Sequence, residues 1–386
     1  MSQSEYSYKI FSHIQELDEV KPFWLKHQHH PYHDFEYYKL CSQIETDLVR
    51  PYVISIYKQK KIESLIISSI RNQRVSYQFG YKRLFSHTVP TLDIAYSGIL
   101  GEASSNHVKI LLNALFEGLK NNDYDRVTFD HINRESQLFK MIRNIHPRRC
   151  RDWTPYRNPH WYLKIPNSYD QIYQKLSKST KGTIRRECNN RISREFGEQV
   201  SIKVFSEKSD VKTALTEIET IAKLTYQRKL KVGFSSTQET KVKWEHYADR
   251  GMLQIAILYL NKKPAAFWNW ILYNNSCLSV NTGFDPNLSY FHPGLYLFVA
   301  MIQRFCESQE CKTLDFGFGD ALYKKMFGDW QTHETSLTIF APNIRGLKLN
   351  LLKNTTINLS HRVQLVLQRM NMDQKIKKIW RKKLVK

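Results

Sequence analysis

Two kinds of apolar spacing follow one another along the chain, and their order repeats. Apolar residues at a period of two, or in short continuous runs, predict strands over 51–57, 63–70 and 92–100. Val108, Leu111, Leu112, Leu115 and Leu119 then recur at helical spacing within 106–120, and 125–130 reads as a further strand. The same succession returns in the second half, with a hairpin over 253–273 turning at 261–263, a strand over 277–284, a helix over 294–308 and a strand over 313–318. Gly98 to Phe129 spans 31 positions and Gly283 to Phe316 spans 33, so the layout, though not the residue identities, suggests an internal duplication.

Between the copies, 168–196 reads as helical, with Lys178, Lys181 and Arg185 on one arc at i, i+3 and i+7. A strand at 200–205 and a helix at 210–227 open the second copy, with Ser206 or Ser209 placed to cap the helix. From 343 the pattern is helical again. Its last twelve residues carry seven basic side chains, with Ile376, Ile379, Trp380 and Leu384 on the opposite arc. Such a helix suits either an anionic membrane surface or a dock onto its own domain. These breaks divide the chain into an N-terminal unit (1–165), a basic helical connector (166–198), a second unit (199–342) and a basic C-terminal helix (343–386). The class is α/β.

At 386 residues the chain is too long for one ordinary core, and its 41% hydrophobic and 13% aromatic content is that of a globular protein. Fifty-eight Lys and Arg against 36 Asp and Glu give +22, a surface that draws anions. No run approaches 18 apolar residues and the first nine residues lack the features of a signal peptide, so a cytoplasmic location is expected. The six cysteines form no CxxC pair and are expected to be reduced. His27, His29, His30 and His33, with Pro31 among them, fit no usual ligand spacing and read as a solvated loop; no metal is expected.

The candidate chemistry lies in the second half. Pro293-Gly294 opens a helix between two strands, a crossover at which a ligand is expected beyond the strands' carboxyl ends. The free amides and positive dipole end of that helix make His292, Pro293, Gly294, Leu295 and Tyr296 a candidate anion site, although Pro-Gly is also ordinary turn chemistry. Trp268 and Trp270 share one face of a strand, where they could stack on a sugar ring or fill the core, with Asn269 on the other face. Lys178 and Arg185 are candidates for holding an anionic substrate.

The stretch from Asp315 to Trp330, Asp-Phe-Gly-Phe-Gly-Asp-Ala-Leu-Tyr-Lys-Lys-Met-Phe-Gly-Asp-Trp, resembles the end of the GNAT fold, where a strand runs into a short helix whose tyrosine protonates the coenzyme A thiolate. Its Gly-Asp, Tyr-Lys and Phe-Gly spacing, with the Pro293-Gly294 helix upstream, is similar to the CelD/BcsL-type acetyltransferases of bacterial cellulose and exopolysaccharide loci. Those are related to the FemABX peptidoglycan transferases and have two GNAT-like units. The resemblance implies two tandem units with mixed central sheets flanked by helices, the second catalytic and the first shaping an acceptor groove. It further implies transfer of an acetyl or longer acyl group from acyl-CoA to a hydroxyl or amine of a sugar or cell-envelope polysaccharide precursor.

In that frame Tyr323 would give a proton to the departing thiolate, Lys324 would stabilise an oxyanion or hold an acceptor phosphate, and Asp320 would take the acceptor's proton, with Asp315 the second candidate. Packing for Tyr323, solvation for Lys324 and a helix cap for Asp320 are the plainer alternatives. Residues 287–294 hold one glycine where acetyl-CoA enzymes of the superfamily carry a richer loop. Ala103-Ser104-Ser105-Asn106 stands at the matching place in the first unit, which is therefore expected to bind no donor. Two rivals remain open: a FemABX-like enzyme using aminoacyl-tRNA, the one case in which nucleic acid would be a partner, and a non-enzymatic basic scaffold on nucleic acid or membrane.

Overall fold

A computed structural model describes residues 6–79, 82–94, 96, 98–145, 150–153, 158–225, 228, 233–319 and 321–369. The chain opens with β1 (Tyr6–Phe11), α1 (Lys21–His27), α2 (Phe35–Ile44), β2 (Leu48–Pro51), β3 (Val53–Lys58), β4 (Lys61–Ile66), β5 (Ser69–Phe79), β6 (Lys82–Ile94), β7 (Ile99–Gly101), α3 (Ser105–Lys120), β8 (Arg126–Asn133) and α4 (Gln137–Arg143). It continues with β9 (Asn158–Lys164), α5 (Tyr169–Lys175), α6 (Lys178–Gly182), a π-helical stretch (Thr183–Asn189), α7 (Asn190–Phe196), β10 (Val200–Phe205), α8 (Val211–Leu224) and α9 (Gln238–Asp249). Then come β11 (Leu253–Leu260), β12 (Lys263–Tyr273), β13 (Ser276–Phe284), α10 (Pro293–Ser308), β14 (Thr313–Phe318), α11 (Leu322–Phe327), β15 (Trp330–Phe340) and α12 (Ile344–Arg369).

Residues 1–158, with the chain from 333 through α12, form one compact unit, and 159–332 form the other. In the first, strands in the order β1-β3-β4-β7 make one sheet, and β15-β8-β6-β5-β2 lie in order in another. The 3.6-residue period of α3 puts Val108, Leu111, Leu115 and Leu119 on one stripe, which packs on Ile54, Ile66, Leu92 and Phe129. The strand expected over 92–100 is two strands, because Tyr96 (φ +50) and Gly98 (φ +44) turn the chain between β6 and β7. The β5–β6 hairpin had no counterpart in the pattern, since Arg71-Asn72-Gln73-Arg74 masks any alternation. The histidine segment is not a solvated loop either: Pro31–His33 is a 3₁₀ turn, His30 accepts the Tyr32 amide at 3.2 Å, and His33 is buried.

The second unit's sheet runs β10-β11-β12-β13-β14-β9, antiparallel except for β13 with β14. On one face α10 packs Leu297, Ile302 and Phe305 against Ala256, Ala266, Leu314 and Phe316. Ile172, Leu176, Ile184, Cys188 and Ile192 of the basic segment join this core, so the connector is an integral layer of the unit. Each such side chain contributes about 1.5–3 kcal/mol on burial. The divisions expected at 165 and 342 move to 158 and 332, because β9 pairs with β14 while β15 pairs with β8. α8 follows a 3₁₀ turn and has Asp210 at its N-cap position, with no side-chain capping bond, so neither Ser206 nor Ser209 stands at the cap. No described helix is long and apolar enough to cross a membrane.

Candidate active site

In the second unit two parallel strands part. β13 and β14 pair at Ser276–Thr313, Cys277–Leu314 and Leu278–Asp315, and the ladder stops there. β13 runs on to Phe284, held on its other edge by β12. A bulge bends it, because Ser279 opposes Trp270 while Asn281 opposes Asn269, leaving Val280 as the extra residue. β14 turns away through Gly317 (φ +68) and Gly319 (φ +100), left-handed backbone that a side chain would strain. The β13 edge beyond Leu278 is therefore without a β14 partner, and such an edge can hydrogen-bond an extended ligand.

Helix α10 begins just past that edge. Its N-cap, His292, is itself left-handed (φ +51, ψ +47), and its carbonyl accepts the amides of Leu295 at 3.0 Å and Tyr296 at 3.1 Å. Pro293 has no amide to give, so Gly294 is the one residue of this turn whose N–H is not taken by His292. A Cβ at Gly294 would stand 3.3 Å from the Phe284 ring, so the close approach this glycine permits here is to the strand end. The preceding turn is pinned by the basic segment: Arg191 donates to the Tyr290 carbonyl at 2.9 Å and lies over its ring at 4.1 Å, and Glu187 sits 3.5 Å from His292.

On α11, Tyr323 packs its ring near Phe298 (5.6 Å) and Phe316 (5.9 Å), and burial pushes its phenol up to about 12. Burial that disfavours the phenolate makes Tyr323 a weaker acid than a free phenol and leaves its hydroxyl a hydrogen-bond donor. Lys324 is buried, not solvated. Its Nζ donates to the carbonyls of Gly317 and Phe318, each at 3.1 Å, and so staples α11 to the end of β14. Asp320 lies outside the described residues.

The opposite face of β14 and β9 carries residues the sequence patterns did not reveal. His160 Nε2 is 2.5 Å from Asp315 Oδ1, and the same oxygen accepts the Gly317 amide at 2.7 Å. Asp315 thus anchors the glycine turn through the oxygen that His160 also touches. Tyr162 stacks on His160 at 4.6 Å and on Trp330 at 5.3 Å. Asn269 is fully buried, and neither carboxamide atom has a partner among the described residues. The alternation of His160, Tyr162 and Lys164 was the available signal, in a segment not read as a strand.

Trp268 and Trp270 are core. Both are at most 3% exposed and pack with Phe298 and Phe305, so neither presents a face for a sugar, contrary to one of the two readings. Lys178 and Arg185 are exposed, but the π-helical stretch from Thr183 to Asn189 winds more residues per turn, so no regular arc joins them. Lys181, expected on that arc, donates instead to the Gln174 carbonyl at 3.0 Å.

Residues 178–325, less than half of the chain, match the family profile described as an acetyltransferase (GNAT) domain. A search of curated proteins gives no significant match. Among solved structures, FemX is similar at 10% identity and a TM-score of 0.54, over 86% of this chain and 97% of that one. L-PGS from Bacillus licheniformis is similar at 13% identity and a TM-score of 0.49, over 88% and 96% of the two chains. A tandem GNAT protein from the clavulanic acid biosynthesis pathway is similar at 8% identity and 0.49, over 87% and 99%. At such identities these likenesses speak for the fold alone, and of the three only FemX exceeds 0.5. The fold is the GNAT fold, a mixed sheet flanked by helices, and the chain is an acyltransferase by class; a GNAT domain in general implies an acyl-CoA donor.

Proposed function

We propose that the second unit moves an acetyl or longer acyl group from acyl-CoA to a hydroxyl or amine of a sugar or cell-envelope polysaccharide precursor, as the resemblance to CelD/BcsL-type acetyltransferases implies. The observation that carries the proposal is the parting of β13 and β14 beside the start of α10. The unpartnered β13 edge would hold the donor's pantetheine arm and the Gly294 amide a phosphate. Tyr323 would donate a hydrogen bond to the departing sulphur and Asp320 would take the acceptor's proton. Lys324 would hold the β14 turn in place through the Gly317 and Phe318 carbonyls. Mass spectrometry of the protein incubated with acetyl-CoA and a panel of UDP-sugars and polysaccharide fragments tests the transfer, and no acylated product across the panel would overturn the acceptor class.

One observation favours a second donor. A single amide and one glycine at the helix start offer little to a pyrophosphate, while +22 suits a polyanion, as an aminoacyl-tRNA-dependent enzyme of the FemABX type would need. A thermal shift decides between them. A ligand bound only by the folded state stabilises it by about 2.7 kcal/mol at a hundredfold excess over Kd. Coenzyme A giving that shift favours the first donor, and charged tRNA giving it instead favours the second.

The described part of the C-terminal helix supports contact with an anionic membrane. Ile344, Leu347, Leu351 and Leu359 of α12 are exposed, and the chain beyond it is strongly basic. The expected apolar arc of Ile376, Ile379, Trp380 and Leu384 lies outside the described residues. Removal of 375–386 should weaken co-sedimentation with anionic vesicles while leaving transfer in solution intact.

A further inference from the structure

The first unit holds a half-open cavity of about 270 Å³, lined by Tyr32 of the 3₁₀ turn, by α2, by the crossing from β4 into β5, and by Asp93 near the end of β6 with Tyr96 beyond it. At ~30 Å³ per water it has room for about nine waters, and it falls below the ~300–1,000 Å³ of pockets that take drug-sized ligands. One ring or one short chain fits. A donor of coenzyme A size does not.

Tyrosines make one side of it. Tyr32 lies 5.9 Å from Tyr37 and 5.1 Å from Tyr96, ring centre to ring centre. Tyr96 is stacked between His30 at 4.0 Å and His131 at 4.2 Å, which occupies its two faces and fixes it as a rigid wall. Tyr38 is locked by donating its hydroxyl to the Ser68 carbonyl at 2.7 Å.

Charge makes the other side. The Arg71 guanidinium is bound to Glu45, lies 3.0 Å from Asp47 and sits 3.6 Å from Asp93. Among the lining residues, Glu45 and Asp93 against Arg71 leave a formal charge of −1, in a chain whose total is +22. Burial pushes the Asp93 carboxyl up and nearby Asp130 adds to this, against the Thr128 hydroxyl at 2.6 Å and Arg71. The formal charge of the lining is opposite in sign to that of the whole molecule, and carboxylates beside aromatic rings are the chemistry that selects organic cations.

We propose that this cavity is a binding site for a small organic cation, a protonated amine carried on a body of about one sugar ring. The site goes beyond the transfer reading and does not depend on it, since every residue involved belongs to the first unit. The ammonium would lie against Glu45 and Asp93 and the body against Tyr32 and Tyr37.

The test is equilibrium binding to the full chain by calorimetry, without any acyl donor, so that failure of transfer and failure of this site are read separately. D-glucosamine should bind at one site per chain, D-glucose at least tenfold more weakly, and D-glucose 6-phosphate more weakly still. Asp93→Asn and Tyr32→Leu should each weaken glucosamine binding at least tenfold, and if one variant does not fold the other reads the site. The proposal is overturned if millimolar glucosamine gives no binding, if glucose binds as tightly, if the phosphate ester binds more tightly, or if a folded variant binds as the parent does.

Discussion

In the first unit the strand before the crossover helix is β7, three residues long and paired only with β4; in the second it is β13, nine residues long and free of β14 for most of its length. β7 ends at Gly101 (φ +80), where a Cβ would come within 2.4 Å of the Glu63 carbonyl oxygen and 2.6 Å of the Phe23 ring. The helix that follows is tied back to the same strand. Ser104 is bonded to His107 Nδ1 at 2.7 Å, and His107 Nε2 lies 2.9 Å from Glu63 of β4. The second unit leaves the corresponding place open, with a bulged strand and a turn of two left-handed glycines. Two units with the same order of strand, helix and strand therefore differ at the helix start, because side chains tie one start to its sheet while a bulged strand and a glycine turn separate β13 from β14 beside the other.

The largest effect should come from Asp320→Asn, which is expected to lower kcat by about 10² to 10⁴ with donor affinity little changed. A change at the helix start of the first unit, His107→Ala, should leave kcat within about twofold. A stopped assay of free thiol on both variants checks the contrast, and equal losses would end it.

Tyr323→Phe should cost about tenfold to a hundredfold in kcat, the low end for acid catalysis, because a buried phenol is a weak acid and a thiolate leaves fairly well unaided. The same residue makes a pH prediction. Its folded pKa of about 12 lies above the ordinary 10, so burial of the neutral phenol supports the fold fully below pH 10 and loses that support as pH rises through 12. Denaturant unfolding of wild type and Tyr323→Phe between pH 8 and pH 11 should show the wild type weakening more above pH 10. Parallel curves would mean that the phenol is not buried as described.

The smallest effect is structural. Lys324→Met removes the bonds to the carbonyls of Gly317 and Phe318 and should cost about 1–3 kcal/mol. Lys325→Met, one position on and exposed, should cost less than about 0.5 kcal/mol. Chemical denaturation of the two variants separates a buried staple from an exposed side chain, and similar losses would remove the staple.

Local spacing determined what local forces build. The strand at Val200–Phe205, the helix from Pro293 to Ser308 and the strand at Thr313–Phe318 stand where their periods put them, because side-chain direction along an element depends only on neighbours a few residues away. The Gly-Phe-Gly run was recognisable as a motif, but its cause, two left-handed residues ending a strand, came from the fold. What the pattern could not carry was pairing over distance. Asp315 and His160 are 155 positions apart, and Lys324 is next to Tyr323 yet faces a strand end instead of solvent. β9 and β15 joined sheets that their places in the chain did not suggest, and the tyrosine cavity draws on three separate segments. Composition determined a charge of +22, whereas burial and ion pairing around Arg71 decided where that sign reverses, since a local field depends on distances that only the folded chain sets.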